Sequence, residues 1–230
     1  MLRLEGVTIE QGSFSLAADF SVGEGRRVAV IGPSGAGKST LLGAIAGFVP
    51  VTGGRLICQG RDITEAAPGA RPVSMLFQDN NLFPHLTVAR NVALGLRPAW
   101  RLTAEENARV QAAIERVGLK GMEDRRPGDL SGGQQSRAAL ARVLVRDRPL
   151  VLLDEPFAAL GPALRREMLD LVAELISDTG ATLMMVTHAP EDVRRIADDV
   201  IFVEGGIAHA PGPAAELLKN PPPALKAYLG

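Results

Sequence analysis

The sequence predicts an α/β protein, a strand–helix alternation interrupted by a mostly helical insertion. Three features carry that reading. Arg27-Val28-Ala29-Val30-Ile31 is a short apolar run that stops at a glycine, the form of a strand buried in a parallel sheet. After Pro149 the periods alternate: strand at 150–153, helix at 162–177, strand at 182–186, helix at 190–197 and strand at 200–203, the last closed by Gly205-Gly206. Between about 78 and 148 the pattern turns helical and more polar.

The other elements follow from local chemistry. Phe14, Leu16, Ala18, Phe20 and Val22 alternate with mostly polar or small residues, the period of a half-buried strand. A helix opens at Lys38 and runs to about Gly47, and 72–77 reads as a strand. Thr103 and Glu106 make a capping box for a helix through Val117. Ser131 caps a second helix rich in alanine and arginine. Residues 213–229 read as two short helices around Pro221-Pro222-Pro223.

The 230 residues suit a single domain with an insertion. With 46% apolar and 22% charged residues and a net charge of −1, no bulk field draws the chain to nucleic acid or anionic lipid. A lone cysteine, Cys58, excludes an internal disulfide and, in its apolar setting, reads as buried filler. The N-terminal residues lack the basic and apolar regions of a secretory signal, and no apolar run approaches the ~20 residues of a membrane span. Any membrane role is expected to run through a partner.

The strongest motif is Gly32-Pro33-Ser34-Gly35-Ala36-Gly37-Lys38-Ser39-Thr40, directly after a strand and opening a helix. It fits the phosphate-loop pattern, in which backbone N–H groups and a helix N-terminus cradle a polyphosphate. Lys38 is expected to reach the β- and γ-phosphates and Ser39 to ligate Mg²⁺. The apolar strand 150–153 ends in Asp154-Glu155, two carboxylates where ligands bind in open α/β sheets. Asp154 is the expected Mg²⁺ holder, and Glu155 would polarise an attacking water. Leu130-Ser131-Gly132-Gly133-Gln134 opens a helix beside two glycines, a second open anion site in a chain that already has one.

Together these motifs resemble the ATP-binding cassette (ABC) transporter ATPases, over nearly the whole chain. The resemblance implies a P-loop NTPase fold: a RecA-like core at 1–78 and 148–230 with an antiparallel β portion near its N-terminus, and a helical subdomain at about 79–147. It implies ATP and Mg²⁺ as cofactors, with Ser39, Gln78 and Asp154 at the metal and Glu155, His188 and Gln78 in catalysis. Ser131, Gly132, Gly133 and Gln134 would contact the nucleotide held by a second copy, making a homodimer with two buried ATP molecules. The stretch 71–88 is similar more narrowly to the ATPase subunits of bacterial thiamine importers. The partners so implied are a transmembrane permease and, indirectly, a periplasmic substrate-binding protein, with no nucleic acid. The expected place is the cytoplasmic face of the inner membrane, peripherally.

Three departures stand out. Gly161 replaces the aspartate usual in Ser-Ala-Leu-Asp, which is expected to weaken coordination between the two ATP sites. Gln11-Gly12-Ser13 lacks the usual adenine-stacking ring; Phe14 is open between that role and the core, its alternation favouring the core. If no ring stacks, weak ATP affinity and poor discrimination against GTP are expected. Ser136 stands where glutamine is common and is read as facing the helix surface. Arg137, Arg142, Arg146 and Arg148 are read as a solvated or partner-facing surface, and Trp100 and Met184-Met185 as packing. Other readings stay open: a cassette ATPase of an importer for another small solute, such as a polyamine, molybdate or iron; a soluble cassette ATPase, whose relatives usually carry two cassettes or a coiled coil; and a P-loop kinase, whose chemistry has no use for Ser131–Gln134 or the Asp154-Glu155 pair.

Overall fold

The computed structural model describes residues 1–97 and 101–229. Trp100 and its expected packing role lie outside the described residues. Strands β1 (Leu2–Gln11) and β2 (Phe14–Val22) form an antiparallel hairpin, and β3 (Arg27–Ile31) leads through a loop into α1 (Lys38–Ala46). Strands β4 (Gly53–Cys58) and β5 (Arg61–Asp62) return antiparallel beside β1. After β6 (Val73–Leu76) come α2 (Val88–Ala93), α3 (Ala104–Arg116) and α4 (Gly132–Leu144). The alternation then resumes with β7 (Leu150–Asp154), α5 (Pro162–Thr179), β8 (Thr182–Val186), α6 (Pro190–Ile196) and β9 (Asp199–Glu204). Two short strands, β10 (Ile207–Ala208) and β11 (Gly212–Pro213), precede α7 (Ala214–Lys219) and α8 (Pro223–Leu229).

The strands join in the order β5-β4-β1-β2-β10-β9-β3-β8-β7-β6, with β11 paired to β9. From β9 to β6 every pair is parallel. All of β7 and β8 is buried, as continuous apolar runs require when helices cover both faces of a sheet. Strand β1 is different: Leu2 and Leu4 face the core, then Val7 and Ile9, so the inward parity switches from even to odd. A register shift between Leu4 and Val7, with Gly6 at φ 54°, takes up the extra residue.

One apolar cluster fills the space between the sheet and α2 to α5; a second lies under α1 and reaches the antiparallel strands. Cys58 is fully buried in the second, as expected, and Met184 and Met185 pack in the core. Arg71, 3% exposed, joins the end of α1 to the neighbouring turn. Its guanidinium donates to the carbonyls of Ala44, Ile45, Thr64 and Ala66. The negative end of the α1 dipole favours a cation there.

The surface reading of α4 needs correction. Ser136 is 2% exposed, donates to Gly132 O and accepts from Asn80 Nδ2. Arg142 donates to Asn80 O and Asn81 O, both at 2.7 Å, and Arg137 donates to Val117 O. The Nε of Arg148 is buried. Ser136 and Arg142 are covered because the segment after β6 folds back across α4, and Arg137 is drawn to the residue that ends α3, neither of which helical periodicity alone can reveal. Arg146 lines an open groove.

Candidate nucleotide-binding site

The parallel register decides where the chemistry gathers. Val30 pairs with Val186, Asp154 with Val186 and Leu76 with Leu153, so β3, β6, β7 and β8 end along one edge. The residues that follow these strands therefore converge: the loop 32–37, Glu155, Thr187 and His188, and Gln78.

The loop after β3 wraps the start of α1. Gly37 caps the helix at φ 103°, a conformation that L side chains avoid, and a Cβ there would lie 2.5 Å from Phe14 Cζ. The Phe14 ring thus packs on the loop while joining the core cluster beneath α1. Pro33, Ser34 and Gly35 are exposed at the loop's crest, with Ala36 half-buried below them and Thr40 in the first turn of α1. Lys38 is 5% exposed, and its Nζ donates to Gly32 O at 2.9 Å and Pro33 O at 2.8 Å. Burial pushes the Lys38 pKa down, while the charges of Glu155 and Asp154 oppose that.

Ser39 Oγ donates to Asp154 Oδ1 at 2.9 Å, so two of the expected metal ligands meet across the first turn of α1 and the end of β7. Asp154 is 8% exposed. Burial raises its pKa, and the Ser39 bond works against the rise. Glu155 takes φ 47°, a left-handed backbone that costs on the order of 1 kcal/mol outside glycine. Its N–H is spent on Val186 O at 3.3 Å, and its Oε1 lies 2.6 Å from His188 Nε2. Gln78 is exposed just past the end of β6, on the same edge.

The capped end of α4 stands apart from this cluster. Ser131 Oγ accepts from the Gln134 N–H at 3.3 Å and Gln134 Oε1 accepts from the Ser131 N–H at 2.9 Å, a reciprocal box. Ser131 and Gly132 are exposed, and Gly133 is packed so closely that a Cβ would lie 2.6 Å from Leu164 Cδ2 of α5. The polar groups of this tip bond to each other and not to the loop at 32–37.

Sequence reasoning missed two sets of neighbours. Tyr228 of α8 brings its hydroxyl to 3.5 Å from His188 Nδ1, and burial raises its pKa. Arg165 of α5 and Asp192 of α6 form an ion pair next to Thr187. No motif links such residues; a tyrosine a few positions from the last residue and an arginine in a helix carry no local signal.

A family model described as "ABC transporter" matches residues 17–158. The chain is 60% identical to the "Thiamine import ATP-binding protein ThiQ" of Ruegeria sp. strain TM1040, over the full length of both. It is similar in structure to the ADP conformation of MJ1267, an ATP-binding cassette of an ABC transporter. There the TM-score is 0.89 at 27% identity, covering 100% of this chain and 98% of that one. It also resembles the cassette MJ0796 in a dimeric post-hydrolysis state bound to ADP and Pi, with a TM-score of 0.80 at 28% identity over 93% of this chain and 99% of that one. The phosphate loop, the paired carboxylates at the sheet edge and these matches agree: the chain belongs to the ABC transporter family.

Proposed function

We propose that this chain hydrolyses ATP as a head-to-tail homodimer to drive import of thiamine, or its phosphates, through a separate membrane permease. The observation that carries the reading is the convergence of Lys38, the Ser39–Asp154 pair and the Glu155–His188 pair on one sheet edge, while the Ser131 tip faces solvent elsewhere. The cargo follows from the full-length likeness to thiamine-import proteins. In this reading the chain is one cassette, with a core at 1–78 and 148–230 and a helical unit at about 79–147.

Lys38 and the loop N–H groups hold the β- and γ-phosphates, and the N-terminus of α1 adds its positive dipole end. The Ser39 hydroxyl and the Asp154 carboxylate are hard oxygen donors suited to Mg²⁺, and with Gln78 they would hold it. Bound there, the ion neutralises charge on the transferring phosphoryl group. Glu155 orients a water and accepts its proton as the water oxygen attacks the γ-phosphorus and the bond to the ADP oxygen breaks. His188 holds the Glu155 carboxylate through Nε2 and would turn a ring N–H to the γ-phosphate once ATP is bound. The tip formed by Ser131, Gly132, Gly133 and Gln134 would meet the γ-phosphate of the second copy.

An open groove of about 750 Å³ supports the permease contact. Phe48, Met75, Phe77, Leu82, Phe83 and Arg146 line it. Phe48 and Phe83 are 56% and 46% exposed, unusual for rings of that size. Phe83 is held firmly: buried Asn91 accepts from its N–H and donates to the carbonyls of Phe83, Leu86 and Thr87. Among the described residues no helix is long and apolar enough to cross a membrane. A peripheral place on the cytoplasmic face of the inner membrane, beside a permease served by a periplasmic binding protein, is part of this proposal.

Glu155→Gln tests the mechanism. Turnover is expected to fall at least ~100-fold, while ATP converts the variant to a dimer on size-exclusion chromatography. Undiminished turnover, or a variant that stays monomeric at saturating ATP, would overturn it. For the cargo, ATP turnover in vesicles carrying the permease should rise with binding protein and thiamine, and not with spermidine or molybdate.

A further inference from the structure

Thr187, next to His188, is tied to side chains on two helices and to the backbone of Ala189 on the other side of the histidine. Thr187 Oγ1 accepts from the Ala189 N–H at 3.2 Å and from Arg165 Nη2 at 3.2 Å, and donates to Asp192 Oδ2 at 2.6 Å. One hydroxyl thereby uses its single proton and both lone pairs. Arg165 Nε donates to the same Asp192 oxygen at 3.0 Å, and Nη2 closes the ion pair. Thr187 is 2% and Asp192 6% exposed, so this knot lies below the surface.

Arg165 belongs to the first turn of α5, where its N–H donates to Gly161 O at 2.9 Å. That turn has no side-chain cap, because Gly161 holds the capping position. The Arg165 fork is therefore a side-chain anchor for the end of α5 that leads out of loop 158–161. Arg165, Thr187 and Asp192 also line a cavity of about 240 Å³ together with Glu155 and His188. A buried ion pair is weak evidence for stability, since desolvation offsets its Coulomb energy, but a planar fork on two partners fixes geometry.

We propose that Arg165 is a positioning residue: it transmits the placement of loop 158–161 to His188 through Thr187 and Asp192. The inference rests on the ATPase reading above and adds a route by which loop 158–161, where Gly161 is expected to bear on coordination between the two ATP sites, acts on His188.

The test is a double-substitution cycle on the full chain, read by steady-state ATP turnover. Arg165→Met is expected to lower kcat about tenfold with KM for ATP within about twofold, and Arg165→Lys to recover part of the loss. In a Glu155→Gln background, Arg165→Met should still dimerise with ATP. Because Arg165 acts through His188, Arg165→Met with His188→Ala should be no slower than His188→Ala alone. Multiplicative losses in the double variant, or a lowered Tm with unchanged kcat, would overturn the proposal. If Arg165→Met does not fold, Thr187→Val breaks the same link without removing a charge and is judged by the same criteria. A wild-type chain that neither hydrolyses ATP nor dimerises with it would sink the functional reading; with both intact, the cycle judges Arg165 alone.

Discussion

Asp154 carries a conflict between folding and chemistry. Burial lifts its carboxyl pKa above the unfolded value, and the Ser39 bond only partly resists. Between the two values the folded chain binds the extra proton, so stability falls as pH climbs through that window and the full penalty stands above it. Asp154→Asn is therefore expected to raise Tm at pH 7 by about 2–4 °C for each kcal/mol relieved, with the gain vanishing below pH ~4, while MgATP turnover is lost. A lower Tm at pH 7 would contradict it. This residue was legible from sequence because a buried strand ending in two carboxylates beside a phosphate loop admits few readings. Arg71, Arg165 and Tyr228 were not. Their farthest partners lie 27, 27 and 40 positions away, and only the fold brings those together.

Among the elements, α5 begins without a side-chain cap. Gly161 sits at φ −63° and ψ 158°, a conformation open to any residue, and a Cβ there would meet no atom within 4 Å. Gly161→Asp is thus expected to fit without strain, to supply the missing cap for a few tenths of a kcal/mol, and to change the basal rate or cooperativity of ATP turnover. Kinetics identical to the wild type would remove any functional weight from this position. The parallel strands were readable because continuous burial leaves continuous apolar runs. Strand β1 was not, because the bulge at Gly6 breaks the two-residue period in its middle. Strand β5 has two residues and α2 six, too few to establish any period. The solvated reading of α4 failed for a related reason: Ser136 and Arg142 look outward on a lone helix and are covered only by the segment at 80–81.

For the whole molecule, the reading proposed above gives coupling to the groove and chemistry to the sheet edge. Phe83→Asp, in the groove, is expected to abolish co-purification with the permease and to leave Tm within a few degrees, since the ring is already half in water. Retained co-purification would show that the permease docks elsewhere. The fold class could be read at the level of order and layers, but the groove could not, since its walls come from α1's end, β6 and α4 at once. The bonds from Arg142 to Asn80 and Asn81 have one mechanical consequence. They grip α4 near its final turn, and its opposite end carries Ser131. Thirteen residues make a rod of roughly 20 Å, so a tilt of about 10° imposed at the gripped end swings the far tip by about 3 Å. In the proposed dimer that would be the difference between touching the second copy's phosphate and missing it.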